Sequence, residues 1–150
     1  MKKIQKVILG ALTVLMLFGG VATAVVHASA NTWVTRFTYS GTLIRGTNSS
    51  GSAHVLGCND IRVRHAQTAW NHVPEGHQVM DVTVIRCPNA FSCTAVGAVQ
   101  RFTGTFSTHR TFTRVAHATG THRINFHAPI NPAAASVNGE FQTRSNNTCA

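Results

Sequence analysis

A histidine-rich turn is the part of the sequence whose residue types could support catalysis. His72, Glu75 and His77 lie close together, and the proline and glycine between them favour a turn that brings the imidazoles toward the carboxylate. A histidine beside a carboxylate can act as general acid and base, and an arginine can neutralise a phosphorane. A small phosphodiester hydrolase of the ribonuclease type could therefore use this turn together with Arg62 or Arg64. The alternatives are a metal site formed by the same three residues and an ordinary exposed turn.

Other catalytic patterns are absent from the sequence. It contains no Gly-x-Ser-x-Gly elbow, no His-Glu-x-x-His helix, no phosphate loop and no dinucleotide fingerprint. The carboxylate pair of a glycosidase is hard to assemble because the whole chain has four acidic residues. We therefore predict no cofactor and no metal site, and we favour a non-catalytic protein over an enzyme.

Two segments could bind an anionic partner, and the first is the predicted strand Asp60–Arg64. Because successive residues of a strand point to opposite sides, Ile61 and Val63 are expected to face inward and Arg62 and Arg64 to face outward together. Two guanidinium groups on one side of a strand can contact phosphates through charge and forked hydrogen bonds, without reading a base sequence. A plain solvated strand face is the competing interpretation.

The second segment is a predicted hairpin over Arg110–His127. A three-residue loop, Ala118–Gly120, would set Phe112 opposite Phe126 on the more apolar side. The other side would then carry hydroxyl, amide and guanidinium donors, which suit an anionic or sugar-like polymer. A solvated outer sheet face is again the alternative. The binding candidates on this side are His117, Arg123, Asn125 and His127.

The four cysteines are expected to form structural disulfides. The spacing between Cys87 and Cys93 is not a usual zinc spacing, and a redox pair would more typically be Cys-x-x-Cys. An even number of cysteines in an exported chain favours complete pairing. Among the three possible connectivities we favour Cys87 with Cys93, as a clasp on a short loop, and Cys58 with Cys149, as a bridge to the C-terminus.

Residues 1–30 have the layout of a signal peptide. Lysines at the N-terminus precede an apolar stretch over residues 7–26, and small residues before position 31 favour cleavage after Ala30. An uncleaved membrane anchor is the alternative, because twenty mostly apolar residues can just span a bilayer. We expect cleavage to leave one extracellular domain, residues 31–150, with no stable membrane span.

The composition of residues 31–150 indicates an all-β fold. Eleven valines, five isoleucines and seventeen threonines against two leucines favour strands over helices. We predict a single antiparallel β-sandwich or partly closed barrel braced by disulfides, with one helical turn at Ala66–Trp70. The predicted strands are Thr32–Tyr39, Ala53–Leu56, Asp60–Arg64, Val79–Arg86, Thr94–Val99, Arg101–Phe106, Arg110–His117, Thr121–His127 and Val137–Thr143.

The charge of the predicted domain favours anionic partners. It has ten arginines, no lysine and four acidic residues. Such a surface suits wall polymers, nucleic acids or acidic lipid surfaces, although it can also serve solubility alone. We therefore predict a secreted cationic domain that binds an anionic extracellular polymer or surface without catalysis. A small phosphodiester hydrolase stays open, as does an inhibitor or toxin that presents the clasped loop to another protein.

Overall fold

Nine strands account for most of the chain in the computed structural model, which describes residues 31–44, 46–71, 73–130 and 133–146. Valine, isoleucine and threonine favour these strands because branched side chains pack well on a pleated surface. One 3₁₀ turn, Glu75–His77, lies between two of them. The strands are β1 (Trp33–Ile44), β2 (Gly46–Val55), β3 (Asp60–Asn71), β4 (Val79–Cys87), β5 (Thr94–Ala95), β6 (Gln100–Thr103), β7 (Phe106–Val115), β8 (Gly120–Ala128) and β9 (Ala134–Arg144).

The strands pair into two antiparallel sheets. The first sheet has the order β1-β9-β3-β7, and the second has the order β2-β8-β4-β5 with β6 also paired to β4. Most consecutive strands lie in different sheets, so the chain crosses repeatedly from one layer to the other. The prediction of an all-β, antiparallel sandwich is confirmed.

The core lies between the two sheets. Ile61 and Val63 of β3 and Phe141 of β9 project into it from the first sheet, while Val82 and Val84 of β4 project from the second, and each is at most 1% exposed. Successive residues of a strand point to opposite sides of its sheet. The residues that alternate with these core positions therefore form regular rows on the outside of each sheet.

The predicted hairpin over Arg110–His127 is wrong. Strand β7 pairs with β3 in the first sheet, whereas β8 pairs with β2 and β4 in the second sheet. Phe112 and Phe126 are both buried, as expected, but they enter the core from opposite sheets. The residues between β7 and β8 therefore connect the two sheets, and each of these strands pairs with strands distant in sequence.

Two local predictions are also wrong. The predicted helical turn Ala66–Trp70 is the end of strand β3, where a register irregularity lies between Thr68 and Asn71 and Ala69 has φ 50°. Pairing with β9 therefore prevails over the helical preference of alanine. The predicted strand Arg101–Phe106 is split, because Gly104 has φ 73° and its N–H donates to the Gln78 carbonyl oxygen.

The Cys87–Cys93 disulfide is present, with an S–S distance of 2.02 Å. Cys58 is also disulfide-bonded, and its predicted partner, Cys149, lies outside the described residues. The predicted signal peptide lies outside them as well. In the part of the chain that the structure describes, no helix has the length and apolar character needed to cross a membrane.

Candidate functional site

The outer surface of the first sheet carries a compact group of arginines, which we call the arginine face. Strand β3 contributes its outward residues beside those of β9 and of the edge strand β1, so three neighbouring strands build one surface. The pairing register aligns Arg62 with Gln142 and Arg64 with Glu140. The arginine face comprises Trp33, Thr35, Asp60, Arg62, Arg64, Glu140, Gln142 and Arg144.

Trp33 is the aromatic support of this face. The Cζ atom of Arg62 lies 4.4 Å from the centroid of the indole ring, and that of Arg144 lies 4.1 Å from it. A guanidinium group at such a distance is attracted by the negative face of an aromatic ring and keeps its edge N–H groups available for hydrogen bonds. The indole therefore holds two cations close together at the beginning of β1.

Carboxylates neutralise two of the three arginines. Arg64 forms an ion pair with Glu140 at 3.3 Å, and Arg144 forms one with Asp60 at 3.5 Å. Arg62 takes part in no ion pair with any described residue, and its Nε atom donates to Oε1 of Gln142 at 2.6 Å. Arg62 is thus the cation of this face whose charge is left without a counterion.

The electrostatic environment of Arg62 reflects this imbalance. Its pKa is lowered from the ordinary value, first by partial desolvation and then by repulsion from the nearby Arg64 and Arg144, while attraction to the Glu140 carboxylate opposes the shift. An arginine stays protonated at neutral pH regardless. Part of the shift comes from repulsion between guanidinium groups, which an added anion would relieve.

Hydrogen bonds fix the groups around Arg62 in advance. The Gln142 side chain is 6% exposed although it belongs to the outer surface, and its Nε2 donates to Thr35 Oγ1 at 3.0 Å and to Glu140 Oε2 at 2.5 Å. The amide oxygen is thereby aimed at Arg62. Because both ends of the amide are held, the orientation of the Arg62 guanidinium is set before any ligand arrives.

The outer surface of the second sheet carries three of the other predicted binding residues. Arg123, Asn125 and His127 alternate along β8 and share one side of it. Arg123 is exposed and has no side-chain partner among the described residues, whereas Nδ1 of His127 lies 3.0 Å from Thr47 Oγ1. The neighbouring Asp81 is engaged by Arg101 through two bonds of 2.7 and 2.8 Å, which hold the pKa of that carboxyl below its usual value.

The six predicted binding residues therefore do not form one site. Arg62 and Arg64 lie on the outside of the first sheet, and the β8 residues lie on the outside of the second sheet, with the core between them. His117 is exposed in the connection between β7 and β8. The outward projection of the two arginines of β3 agrees with the prediction. The face expected on the hairpin is divided between the sheets, with Thr111 and Thr113 beside β3 and the three β8 residues in the second sheet.

The histidine-rich turn shows no catalytic arrangement among its described residues. Glu75 and His77 are exposed in the 3₁₀ turn, and no hydrogen bond or ion pair joins their side chains. His72 lies outside the described residues. The residues that the structure describes include no group of three or more histidine, cysteine or acidic side chains that could hold a metal ion.

A buried histidine that the sequence did not single out lies at the centre of the sandwich. Nδ1 of His65 is 3.0 Å from the Tyr39 hydroxyl, and its Nε2 is 3.2 Å from Oε1 of Gln67. The Gln67 amide nitrogen donates to the Gly104 carbonyl oxygen at 2.6 Å. Burial lowers the pKa of His65 to about 4 and raises that of Tyr39 well above its ordinary value, so both are neutral at physiological pH. We assign this network to the core.

The loop closed by the Cys87–Cys93 disulfide displays one aromatic side chain. Phe91 is 100% exposed at the tip of the loop. The Asn89 side-chain oxygen accepts hydrogen bonds from the backbone N–H groups of Phe91 and Ser92 at 3.0 and 2.8 Å. A disulfide at the base and an asparagine inside the loop therefore hold the backbone that carries the exposed ring.

Comparisons with known proteins do not indicate a function. No protein-family model matches the chain, and no curated protein matches it. Among solved structures, a chain of the infectious bursal disease virus Gt strain is 12% identical over 75% of this chain, with a TM-score of 0.39. This chain spans about a third, 32%, of the viral chain.

A second solved structure is the carbohydrate-binding module CBM36 in complex with calcium and xylotriose. It is 21% identical, with coverage of 77% of this chain and 76% of the module, and a TM-score of 0.30. At such TM-scores and identities, neither similarity supports an inference about what this chain binds. A shared fold does not by itself indicate a shared function.

Proposed function

We propose that the chain is an exported, non-catalytic binding domain whose arginine face holds a phosphate-bearing extracellular polymer, such as a wall polymer. The observation that supports this proposal is the position of Arg62, which lies between Arg64 and Arg144 and has no carboxylate partner among the described residues. An anionic group docked on Arg62 would supply the counterion that this face lacks.

The arrangement around Arg62 favours a polyol-phosphate polymer, which has no bases, over a nucleic acid. Recognition of single-stranded nucleic acid relies on aromatic rings that stack on bases, and Trp33 is already engaged by two guanidinium groups. The remaining neighbours are hydroxyl, amide and carboxylate groups. They include the exposed Thr111 and Thr113 of β7, which pair with Arg64 and Arg62 of β3. Such groups can form hydrogen bonds with the polyol hydroxyls on either side of a bound phosphate.

A matched pair of variants tests this proposal. Arg62→Gln and Arg123→Gln make the same change of charge on opposite sides of the sandwich, so the second controls for loss of net charge. A charge-assisted hydrogen bond contributes about 1.5–3 kcal/mol. We therefore expect Arg62→Gln to weaken binding of a polyglycerol phosphate about tenfold or more, measured by isothermal titration calorimetry at low salt, and Arg123→Gln to change it less than about twofold.

Salt and a second polymer complete this experiment. Wild-type affinity should fall steeply as salt rises, because exposed charges are screened. An equal loss in both variants would mean that only net charge matters, and it would contradict the assignment to the arginine face. Preference for single-stranded DNA over the polyglycerol phosphate would contradict the choice of polymer.

A protein partner is a second candidate function, and the exposed Phe91 is the observation that favours it. A rigid aromatic side chain can fill an apolar pocket of another protein at a low entropic cost, as in an inhibitor or toxin. A protease panel and pull-down with wild type and Phe91→Ala test this function. Val99→Ala, which alters another exposed apolar residue, is the control. Equal results for both variants would remove this candidate.

No hydrolase is proposed, because nothing about Glu75 and His77 distinguishes their turn from an ordinary exposed one.

A further inference from the structure

A cavity of about 320 Å³ lies where the end of β2 meets β1 and the end of β9. It is separate from the arginine face, because none of the residues that line it belongs to that face. Its volume would accommodate a group much larger than a single water molecule. The lining residues are Arg36, His54, Val55, Leu56, Asn59, Thr143 and Ser145.

Arg36 is positioned for an oxyanion at this cavity. A register irregularity between Thr35 and Phe37 breaks the alternation of β1, and the Nε atom of Arg36 donates to the Thr143 hydroxyl oxygen at 2.7 Å. This bond fixes the plane of the guanidinium group. The two terminal nitrogens of Arg36 have no partner in the described part of the chain, so they are available as a forked donor.

Thr143 adds a buried donor. The residue is 1% exposed, and its hydroxyl oxygen accepts the hydrogen bond from Arg36. The hydroxyl proton has no acceptor among the residues that the structure describes. A buried hydroxyl normally finds a partner for its proton, and an anionic oxygen in the cavity next to Arg36 would provide one.

The remaining lining residues define the rest of the ligand. His54 contributes an exposed imidazole, and no carboxylate lines the cavity. Val55 is buried and Leu56 is exposed, which together give an apolar wall. The site therefore combines cationic and hydroxyl donors with a surface against which a sugar ring can pack.

We infer that this cavity binds the oxyanion end group of a small sugar derivative, with the anion on Arg36 and Thr143 and the sugar ring against Val55 and Leu56. A phosphate and a carboxylate share the required chemistry. The inference does not depend on the arginine face, since no residue of that face lines the cavity.

Nuclear magnetic resonance titration of the purified protein tests the site with glucose 6-phosphate, glucuronate and uncharged glucose. We expect at least one of the two anionic sugars to bind, to perturb resonances of cavity residues and to bind more tightly than glucose. Glucose 6-phosphate identifies a phosphate ligand, and glucuronate identifies a carboxylate ligand. Equal binding of all three sugars, or binding of none, would overturn the inference.

Three variants locate the anion. Arg36→Gln should weaken binding of the preferred sugar about tenfold, and Thr143→Val, which removes the hydroxyl but keeps the shape of the side chain, should weaken it severalfold. Arg110→Gln changes an exposed arginine that does not line the cavity and should have no effect. Loss of binding in Arg110→Gln, or retention of full binding in Arg36→Gln, would contradict the assignment. The perturbation of cavity resonances by the preferred sugar should be the same in Arg62→Gln as in wild type, which separates this site from the arginine face.

Discussion

Acidification from neutral pH to about pH 4.5 should destabilise the fold, and His65 is the residue that we expect to contribute most. The ring is fully buried and touches the aromatic side chains of Phe102 and Phe126, at centroid distances of 4.9 and 5.9 Å. Its neutral form fits the network, because the Gln67 side-chain oxygen faces Nε2 and accepts a hydrogen bond from the Nε2–H group. A second proton would place a cation in the core.

The magnitude follows from the pKa of His65, which burial lowers from 6.5 to about 4. An unfolded chain takes up the proton near pH 6.5, while the folded chain does not take it up until pH falls to about 4. The unfolded state therefore binds more protons within this window, and stability falls as pH falls. Protonation of this histidine should lower the free energy of unfolding by about 2.5 kcal/mol between pH 7.5 and pH 4.5. Its contribution should stop changing with pH well below pH 4.

Urea unfolding at pH 7.5 and pH 4.5 measures this effect, with His65→Gln and the exposed His117→Gln as a pair. Between these two pH values, the free energy of unfolding should fall by about 2.5 kcal/mol less in His65→Gln than in wild type, whatever the stability of the variant at neutral pH. In His117→Gln it should fall as much as in wild type. Some dependence should persist in His65→Gln because burial also lowers the pKa of His122. Identical pH dependence in wild type and His65→Gln would refute this reasoning. If His65→Gln does not fold, a wild-type His65 resonance that titrates near pH 6.5 would refute it equally.

Two further predictions concern the fold. An added Cβ at Gly139 would collide with the Arg64 carbonyl oxygen and the Tyr39 hydroxyl, whereas one at Gly76 would meet nothing. In urea denaturation, Gly139→Ala should therefore lower the free energy of unfolding by about 1–3 kcal/mol, and Gly76→Ala should lower it by less than about 0.5 kcal/mol. Equal effects of the two substitutions would contradict the packing described here. Opening the clasp disulfide with Cys93→Ser should cost about 2 kcal/mol by the same measurement, and an unchanged midpoint would show that the loop needs no closure.

The alternation of inward and outward residues in β3 can be predicted from the sequence, because it depends only on the order of residues within that strand. Ile61 and Val63 are buried and Arg62 and Arg64 point outward, as the alternation predicts. The residues of β3 do not indicate which strands lie beside it in the sheet. Two residues of the arginine face, Trp33 and Gln142, lie far from Arg62 in sequence and come to it only through the pairing of β9 with both β1 and β3.

The failure of the predicted hairpin has the same cause. The residues between β7 and β8 favour a turn, but turn residues do not say whether the next strand joins the same sheet or crosses to the other one. Here Ala116 is held to the start of β3, since its N–H donates to the Asn59 carbonyl oxygen and its own carbonyl accepts from the Cys58 N–H. The signal in the sequence that points to the arginine face is the alternation in β9, where Glu140, Gln142 and Arg144 share one side.

Mapping the contact surface of an anionic polymer is the most direct test of the central proposal, that the arginine face is the binding surface. Backbone amide shifts of the protein would be followed by nuclear magnetic resonance while polyglycerol phosphate is added at low salt. The perturbed amides should centre on Arg62 and Arg64 and extend to Gln142 and Trp33, and they should recover when salt is raised. Perturbations centred on β8, around Arg123, or an unchanged spectrum at saturating polymer, would contradict the proposal.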